Sequence, residues 1–426
     1  MSVRLALAAI LASVVCVGAQ QPPTFRAAVD LIAVDVQVVD GKGQPIEILD
    51  RDNFQVTIDG KKRRVTSANL VQHTSADDGR LNGLPPPAGG ASALTADGAG
   101  RTFILAIDAG SFSPGEAMPV LDAARDFVRK LPAGDRVGLF TMPRFGPNVN
   151  PTVDHSAVKS AIDRLAGQRQ SLAGQFHLSV SEIIDISSET AGLGAPTMAI
   201  TNPAGTRGAP AFVATDLSTL QRVQQRECRS ATDFGCHEAI VSEAAALSKH
   251  LEERVLQSLD GLNGLLQLLR EFPGRKTVVV LSAGMAVSDR PGARLDIGTE
   301  ATQLGEQAAH ANATIYALHI ELGMRRAYSA EARRAPGAGS LDREQRLSER
   351  MLDEFSGASG GALLSVLVGS GERALDRVLR ETSSFYLLGV EPANMDRDGR
   401  THRLNVKVNQ RGATVRSRQW VVLQRK

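Results

Sequence analysis

The sequence predicts an α/β fold in which a doubly wound, mostly parallel sheet is inserted in a β-sandwich made from both chain ends. From Phe25 to Val71, and again from Phe385, the sequence has the alternation and turns of β-strands. Between these segments, short apolar runs alternate with helical patterns, which is typical of a parallel sheet. Neither terminal segment is large enough to form a core alone, so we expect the two to pair.

The composition excludes several classes of function. The 426 residues include 48 Lys and Arg against 46 Asp and Glu, and aromatic residues make up only 4%. A balanced charge gives no support to nucleic-acid binding or to a basic membrane-binding patch. We therefore expect no nucleic-acid partner.

The first residues, "MSVRLALAAILASVVCVGAQQ", predict a secretory signal peptide over residues 1–19. Arg4 precedes an apolar run that ends in the small residues Gly18 and Ala19. A membrane anchor is disfavoured because the run is shorter than the ~20 residues that a span needs. A lipoprotein signal at Cys16 is disfavoured by the bulky Val15. No later segment is apolar enough to cross a bilayer, so a secreted or periplasmic location is expected.

Two cysteines remain after such cleavage, Cys228 and Cys236 in "ECRSATDFGC". Their closeness in an exported chain predicts one local disulfide, although geometry could still forbid it. A metal site is disfavoured because only His237 lies beside them.

The N-terminal β segment spans 24–72. The stretch "LIAVDVQVVDGKGQPI" alternates apolar and polar residues, and "FQVTIDGKKRRV" contains the hairpin signal Asp59-Gly60. Residues 73–100 are rich in Pro, Gly, Ala and Ser, which predicts a flexible linker.

The α/β region spans 101–383. Strands are predicted at "FILAID", "RVGLFTM", "KTVVVLSAG", "TIYALHI" and "ALLSV", with helices between them and a long one from about His237 to Glu271. The stretch of about 190–236 is rich in Gly, Pro and Thr and predicts a surface insertion. From 384 to 426, "FYLLGVEP", "RLNVKV" and "TVRSRQWVVL" predict the C-terminal strands.

Five segments resemble a known family, in this order: "VDVQVVDGKGQPIEILDRDNFQVTIDGK", "FILAIDAGSFS", "FPGRKTVVVLSAG", "SSFYLLGVEP" and "DGRTHRLNVKV". The chain resembles the bacterial von Willebrand factor A-related proteins of the acidobacterial type. The resemblance implies a Rossmann-like adhesion domain with a metal-ion-dependent adhesion site at the carboxyl edge of its sheet. The family pattern is Asp-x-Ser-x-Ser after the first strand, a Thr from a later loop and an Asp after the central strand.

This chain matches that pattern only in part. Asp108 occupies the first position, but Ser111 and Ser113 are one residue out of phase. Ala283 stands where the second aspartate is expected, beside Ser282, and no Thr falls near Gly174 and Gln175. The expectation is a degenerate site at Asp108, Ser111, Ser113 and Ser282, with no cofactor favoured and Mg²⁺ or Mn²⁺ left possible.

The alternative for the same residues is structural. "SPGE" is typical of a helix start, with Ser113 at the N-cap, Pro114 at the first helical position and Glu116 at the third. Asp108 would then stabilise a turn. Pro119 favours a later helix start.

The predicted function is an exported protein-binding protein, an adhesion or scaffold protein with a degenerate metal site. Asp108, Ser111, Ser113 and Ser282 mark its first candidate surface, and the insertion of about 190–236 marks the second. The alternatives are a metal-independent structural or assembly module of the cell envelope, and an exported hydrolase with an unrecognised site. No phosphate loop or His-Glu-x-x-His occurs in the sequence, so an enzyme is not expected.

Overall fold

The computed structural model describes residues 31–73, 100–143, 146–170, 174–192, 198–201, 211–214, 217–230, 232–290, 293–294, 296, 298–327 and 338–423. The predicted signal peptide and nearly all of the predicted linker lie outside these residues. Leu31–Lys426 form one compact unit. The domain boundaries at 24–72, 101–383 and 384–426 stay predictions.

The described residues include strands from both chain ends and strands from the α/β region between them. In chain order the strands are β1 (Ile32–Val39), β2 (Phe54–Ile58), β3 (Lys61–Gln72), β4 (Thr102–Asp108), β5 (Arg136–Met142), β6 (Val149–Thr152), β7 (Met198–Thr201), β8 (Ala211–Ala214), β9 (Lys276–Ser282), β10 (Ala313–Glu321), β11 (Leu363–Leu367), β12 (Ser384–Glu391), β13 (Thr401–Val408), β14 (Thr414–Arg416) and β15 (Trp420–Val422). Asp59 and Gly60 join β2 to β3 with φ angles of 49° and 75°. This left-handed backbone is the one that Asp-Gly favours in two-residue hairpins.

The helices of the described residues lie between these strands. They are α1 (Pro114–Lys130), α2 (His155–Ile162), α3 (Val180–Thr190), α4 (Thr219–Glu227), α5 (Phe234–Leu269), α6 (Gly298–His310), α7 (Gly323–Ala327), α8 (Ala338–Ala358) and α9 (Gly371–Glu381). At about 1.5 Å per residue, α5 is roughly 54 Å long. In the part of the chain that the structure describes, no helix is both long and apolar enough to span a membrane.

Strands from both chain ends share one antiparallel sheet. Its order is β14-β1-β12-β3-β2-β13-β15, and the sheet curls into a half-barrel. Every second residue of its main strands points into one apolar core, as period-two alternation requires. These inward residues include Val34, Val36, Phe54, Val56, Ile58, Tyr386, Leu388, Val390, Leu404 and Val406.

The second sheet is mixed. Its order is β11-β10-β9-β4-β5-β6, and only β6 runs antiparallel to its neighbour. Along β4, Phe103 and Leu105 face the core under α1, α2 and α9, whereas Ile104 and Ala106 face the core under α5, α6 and α8. Burial on both faces explains why β4 has an unbroken apolar run.

The predicted fold class, a doubly wound, mostly parallel sheet inserted in a β-sandwich, is wrong. Strand β12 lies between β1 and β3, so the two chain ends mix within one curled sheet and do not form two facing layers. The other sheet is mixed because only residues 143–148 connect β5 to β6. Six residues allow a hairpin, whereas a parallel crossover needs about a dozen or more.

A buried carboxylate joins the two sheets. Glu381 of α9 is fully buried, and Tyr316 Oη of β10 lies 3.1 Å from Glu381 Oε2 and 2.9 Å from Gln37 Oε1 of β1. Arg377 Nε donates to Glu381 Oε1 at 2.8 Å, and Arg416 Nε of β14 lies 2.7 Å from Oε2. Glu381 therefore links α9 to β10 and β14, and Tyr316 extends this contact to β1.

We expect Glu381→Gln to lower the free energy of unfolding by about 3–5 kcal/mol, because it leaves the largely buried guanidinium group of Arg416 without its counter-charge. The matched control is Glu372→Gln on the same helix, where Glu372 pairs with Lys130 near the surface. That change should cost no more than about 1 kcal/mol. Urea unfolding measures the free energy of unfolding of both variants. Equal losses of this free energy would contradict the assigned role of Glu381.

Candidate functional site

Asp108 lies at the carboxyl end of β4, at the edge where the parallel strands of the mixed sheet end. Its side chain is only 1% exposed. A short 3₁₀ turn, Ala109–Ser111, follows it and leads into α1. The carboxylate that ends this apolar strand, Asp108, is therefore buried.

Two serine hydroxyls hold the Asp108 carboxylate. Ser258 Oγ of α5 donates to Oδ1 at 2.9 Å, and Ser282 Oγ at the end of β9 donates to Oδ2 at 2.6 Å. Both serines are buried. Sequence reasoning missed Ser258, although it lies on the buried face of α5 between Val255 and Leu262.

Ser111 connects the turn to the end of β9. Its Oγ donates to the Asp108 carbonyl at 2.7 Å and accepts from the Ala283 N–H at 2.9 Å. Ser282 Oγ also accepts from the Gly284 N–H, at 3.0 Å. Each of these hydroxyls thus both donates and accepts within the protein, and together they bind the Ala109–Ser111 turn to β9.

Ser113 does not join this network. It is the N-cap of α1, with Pro114 at the first helical position, and its N–H donates to Glu116 Oε2 at 2.8 Å. This is the helix start that "SPGE" indicated. Pro119 lies inside the helix and does not delay its start.

Burial dominates the electrostatics of Asp108. It raises the pKa of the carboxyl group, against the hydrogen bonds from Ser282 and Ser258 and the charge of Arg254. Burial alone would also raise the pKa of Glu116, but hydrogen bonds from Arg326 and from the Ser113 N–H outweigh it and lower that pKa to about 2. Of these two carboxyl groups, Glu116 thus has the lowered pKa and Asp108 the raised one.

The donor set does not fit a divalent cation. Mg²⁺ is usually bound by one or two carboxylates together with waters, but here the single carboxylate accepts from the two hydroxyls that would otherwise face the ion, and Ala283 offers no side-chain oxygen. Within the described ranges, no three His, Cys, Asp or Glu side chains converge as metal ligands. The geometry of Asp108, Ser111 and Ser282 is that of a closed structural network.

A helical lobe stands beside this edge. We use this name for α3, α4 and residues 234–251 of α5. The lobe has its own apolar cluster, which includes Ile186, Val223, Ile240 and Ala244. The pair proposed from the sequence, Cys228 and Cys236, forms a disulfide that joins the end of α4 to the start of α5. Of the predicted insertion of about 190–236, the structure describes β7, β8 and α4.

A cavity of about 510 Å³ lies between α8 and the edge strand β11, lined by Arg343, Leu347, Glu349, Arg350 and Ser365 among others. Glu349 Oε1 accepts from His319 at 2.9 Å, from Ser365 at 2.6 Å and from Gln345 at 3.0 Å. These bonds, first among them that from His319, lower the pKa of Glu349 to about 2. Ser365 donates to the carboxylate and not to the imidazole, so the geometry is not that of a serine activated by a histidine.

No protein-family model and no curated protein matches this chain. Among the solved structures that match is the pilus adhesin SpaC from Lactobacillus rhamnosus GG, in its open conformation, with 8% identity and a TM-score of 0.28. The match covers 86% of this chain and 47% of the adhesin, so the chain spans about half the adhesin's length. A likeness at this level establishes neither a shared fold nor a shared function, and the resemblance to von Willebrand factor A-related proteins stays a prediction.

We expect Ser282→Ala to lower the free energy of unfolding by about 1–3 kcal/mol, because Asp108 Oδ2 loses its buried donor. Ser160→Ala on the exposed face of α2 is the control and should stay within about 0.5 kcal/mol of the wild type. Chemical denaturation gives both values. A stability of Ser282→Ala equal to that of the control would show that the hydroxyl network is dispensable.

Proposed function

We propose that this chain is an exported protein that binds another protein through its helical lobe, and that this binding uses no metal ion. The observation that carries the proposal is the disulfide-bonded lobe, which has its own apolar cluster and exposes an aromatic side chain. Phe234, the first residue of α5, is 80% exposed and lies two residues from the disulfide.

The disulfide supports the exported part of the proposal, because such bonds persist in oxidising compartments. We infer a secreted or periplasmic location on this ground and on the sequence of residues 1–19, which lie outside the described part of the chain. The SpaC likeness adds no argument.

The contact surface follows from burial. Asp108, Ser111, Ser258 and Ser282 are at most 5% exposed, so a partner side chain cannot reach them without opening the core. Phe234 is accessible, and aromatic residues are enriched in the cores of protein interfaces. A hydrogen bond connects the lobe that carries Phe234 to α8, because Asp185 of α3 accepts from Arg343 of α8 at 2.7 Å.

A structural or assembly module of the cell envelope is the second candidate. The hydroxyl network around Asp108 favours this candidate over metal-dependent adhesion, because the carboxylate is already satisfied within the protein. The two candidates differ in whether the partner is an external protein or a component of the envelope.

A photo-crosslinking side chain at the exposed Glu238, one turn beyond Phe234, tests the proposal. With the envelope fraction and the culture medium, we expect this position to give a defined protein adduct. Combining it with Phe234→Ala should reduce the adduct yield at limiting partner by roughly tenfold, the weakening expected for an aromatic anchor.

The control places the same crosslinker at Met395, which is 65% exposed next to the antiparallel sheet. Equal adducts from positions 238 and 395, or an adduct that does not respond to Phe234→Ala, would refute binding through the lobe. The fraction that supplies the partner distinguishes an external protein from an envelope component.

A further inference from the structure

Arginine side chains surround the turn above Asp108. Arg326 of α7 donates to the Ser111 carbonyl at 2.9 Å, and it also donates to Glu116 at 2.9 and 3.0 Å. Arg169 lies 3.5 Å from the same carboxylate. One acid, Glu116, thus lies between two guanidinium groups.

Arg254 adds a third positive charge from another element. It lies on α5, one turn before Ser258, and its Nη2 is 3.5 Å from the Gly110 carbonyl. Arg254 and Arg326 therefore contact consecutive carbonyls of one turn. Among the described residues, Arg254 forms no ion pair with a carboxylate within 4.0 Å, although it is more than half-buried.

Among the described residues, positive charges outnumber carboxyl groups at this edge. The guanidinium groups of Arg169, Arg254 and Arg326 lie near Glu116 and near the buried Asp108, whose two oxygens each accept from a hydroxyl. Burial lowers the pKa of Arg254, and the charges of Arg169 and Arg326 lower it further, against the attraction of Asp108. A half-buried guanidinium in such surroundings is stabilised by an added anion.

The place of the cluster is also suitable for a ligand. It lies outside the carboxyl ends of the parallel strands β4 and β9, the edge at which open α/β sheets bind their ligands. The helical lobe continues from Arg254 along α5, so a partner that contacts the lobe can reach this edge as well.

We propose that Arg169, Arg254 and Arg326 form a carboxylate-binding site for an acidic segment of the partner protein. The planar guanidinium matches a carboxylate with two parallel hydrogen bonds. This inference rests on the proposed function, since it names the chemistry of the same partner. A nucleic-acid phosphate is disfavoured by the overall charge of +2 and the 4% of aromatic residues.

Fluorescence anisotropy of a labelled octaglutamate peptide with the full chain, at low ionic strength, tests the site. The wild type should bind this peptide and not an octaglutamine peptide. Arg254→Gln should weaken the binding by roughly tenfold or more, because it removes a partly desolvated charge. Arg254→Lys keeps the charge but loses the bidentate geometry, so its affinity should be intermediate.

The control is Arg129→Gln, which removes the same charge from an exposed position in the last turn of α1. The inference is overturned if octaglutamate does not bind or if Arg254→Gln binds it like the wild type. It is also overturned if Arg129→Gln loses as much affinity for octaglutamate as Arg254→Gln does. Competition by inorganic phosphate at lower concentration than acetate would overturn the assignment to carboxylates. If these tests fail while crosslinking from position 238 succeeds, the site is refuted and the proposed function stands.

Discussion

The desolvation of one carboxylate constrains the whole carboxyl edge of the mixed sheet. Asp108 ends a strand that is buried on both faces, so water cannot solvate its oxygens and the protein must supply donors. Ser258 and Ser282 supply them from α5 and β9, and Ser111 closes the turn between them. The turn after β4, helix α5 and strand β9 are distant in the sequence, and these hydrogen bonds hold them together.

This constraint decides what the edge can present to a partner. With its hydroxyls committed inward, the described part of this edge presents the arginines that contact the turn carbonyls and the buried Glu116. A positive surface made of guanidinium groups attracts carboxylates without a metal ion. The disulfide-bonded lobe on the same long helix extends this surface and adds the exposed Phe234. We therefore propose that recognition at this end of the molecule uses the side chains that remain accessible.

Local features of the structure were predictable because they depend on neighbouring residues. Period-two alternation and Asp59-Gly60 predicted the β2–β3 hairpin, and "SPGE" predicted the start of α1 at Pro114. The fold class was not predicted correctly, because alternation identifies the buried face of a strand but not its neighbours, as the position of β12 between β1 and β3 shows. Ser258 was missed because it meets Asp108 across 150 positions, and only its place on the buried face of α5 marked it.

The most direct test of this account is a Mn²⁺ titration in which electron paramagnetic resonance measures the free ion. If hydroxyls satisfy Asp108, the wild type and Asp108→Asn should leave the same amount of free Mn²⁺, since affinity follows the number and charge of available oxygen ligands. Uptake of one Mn²⁺ per wild-type chain that Asp108→Asn abolishes, together with a stabilisation of the wild type by the ion, would contradict the account. The carboxyl edge would then be a metal site.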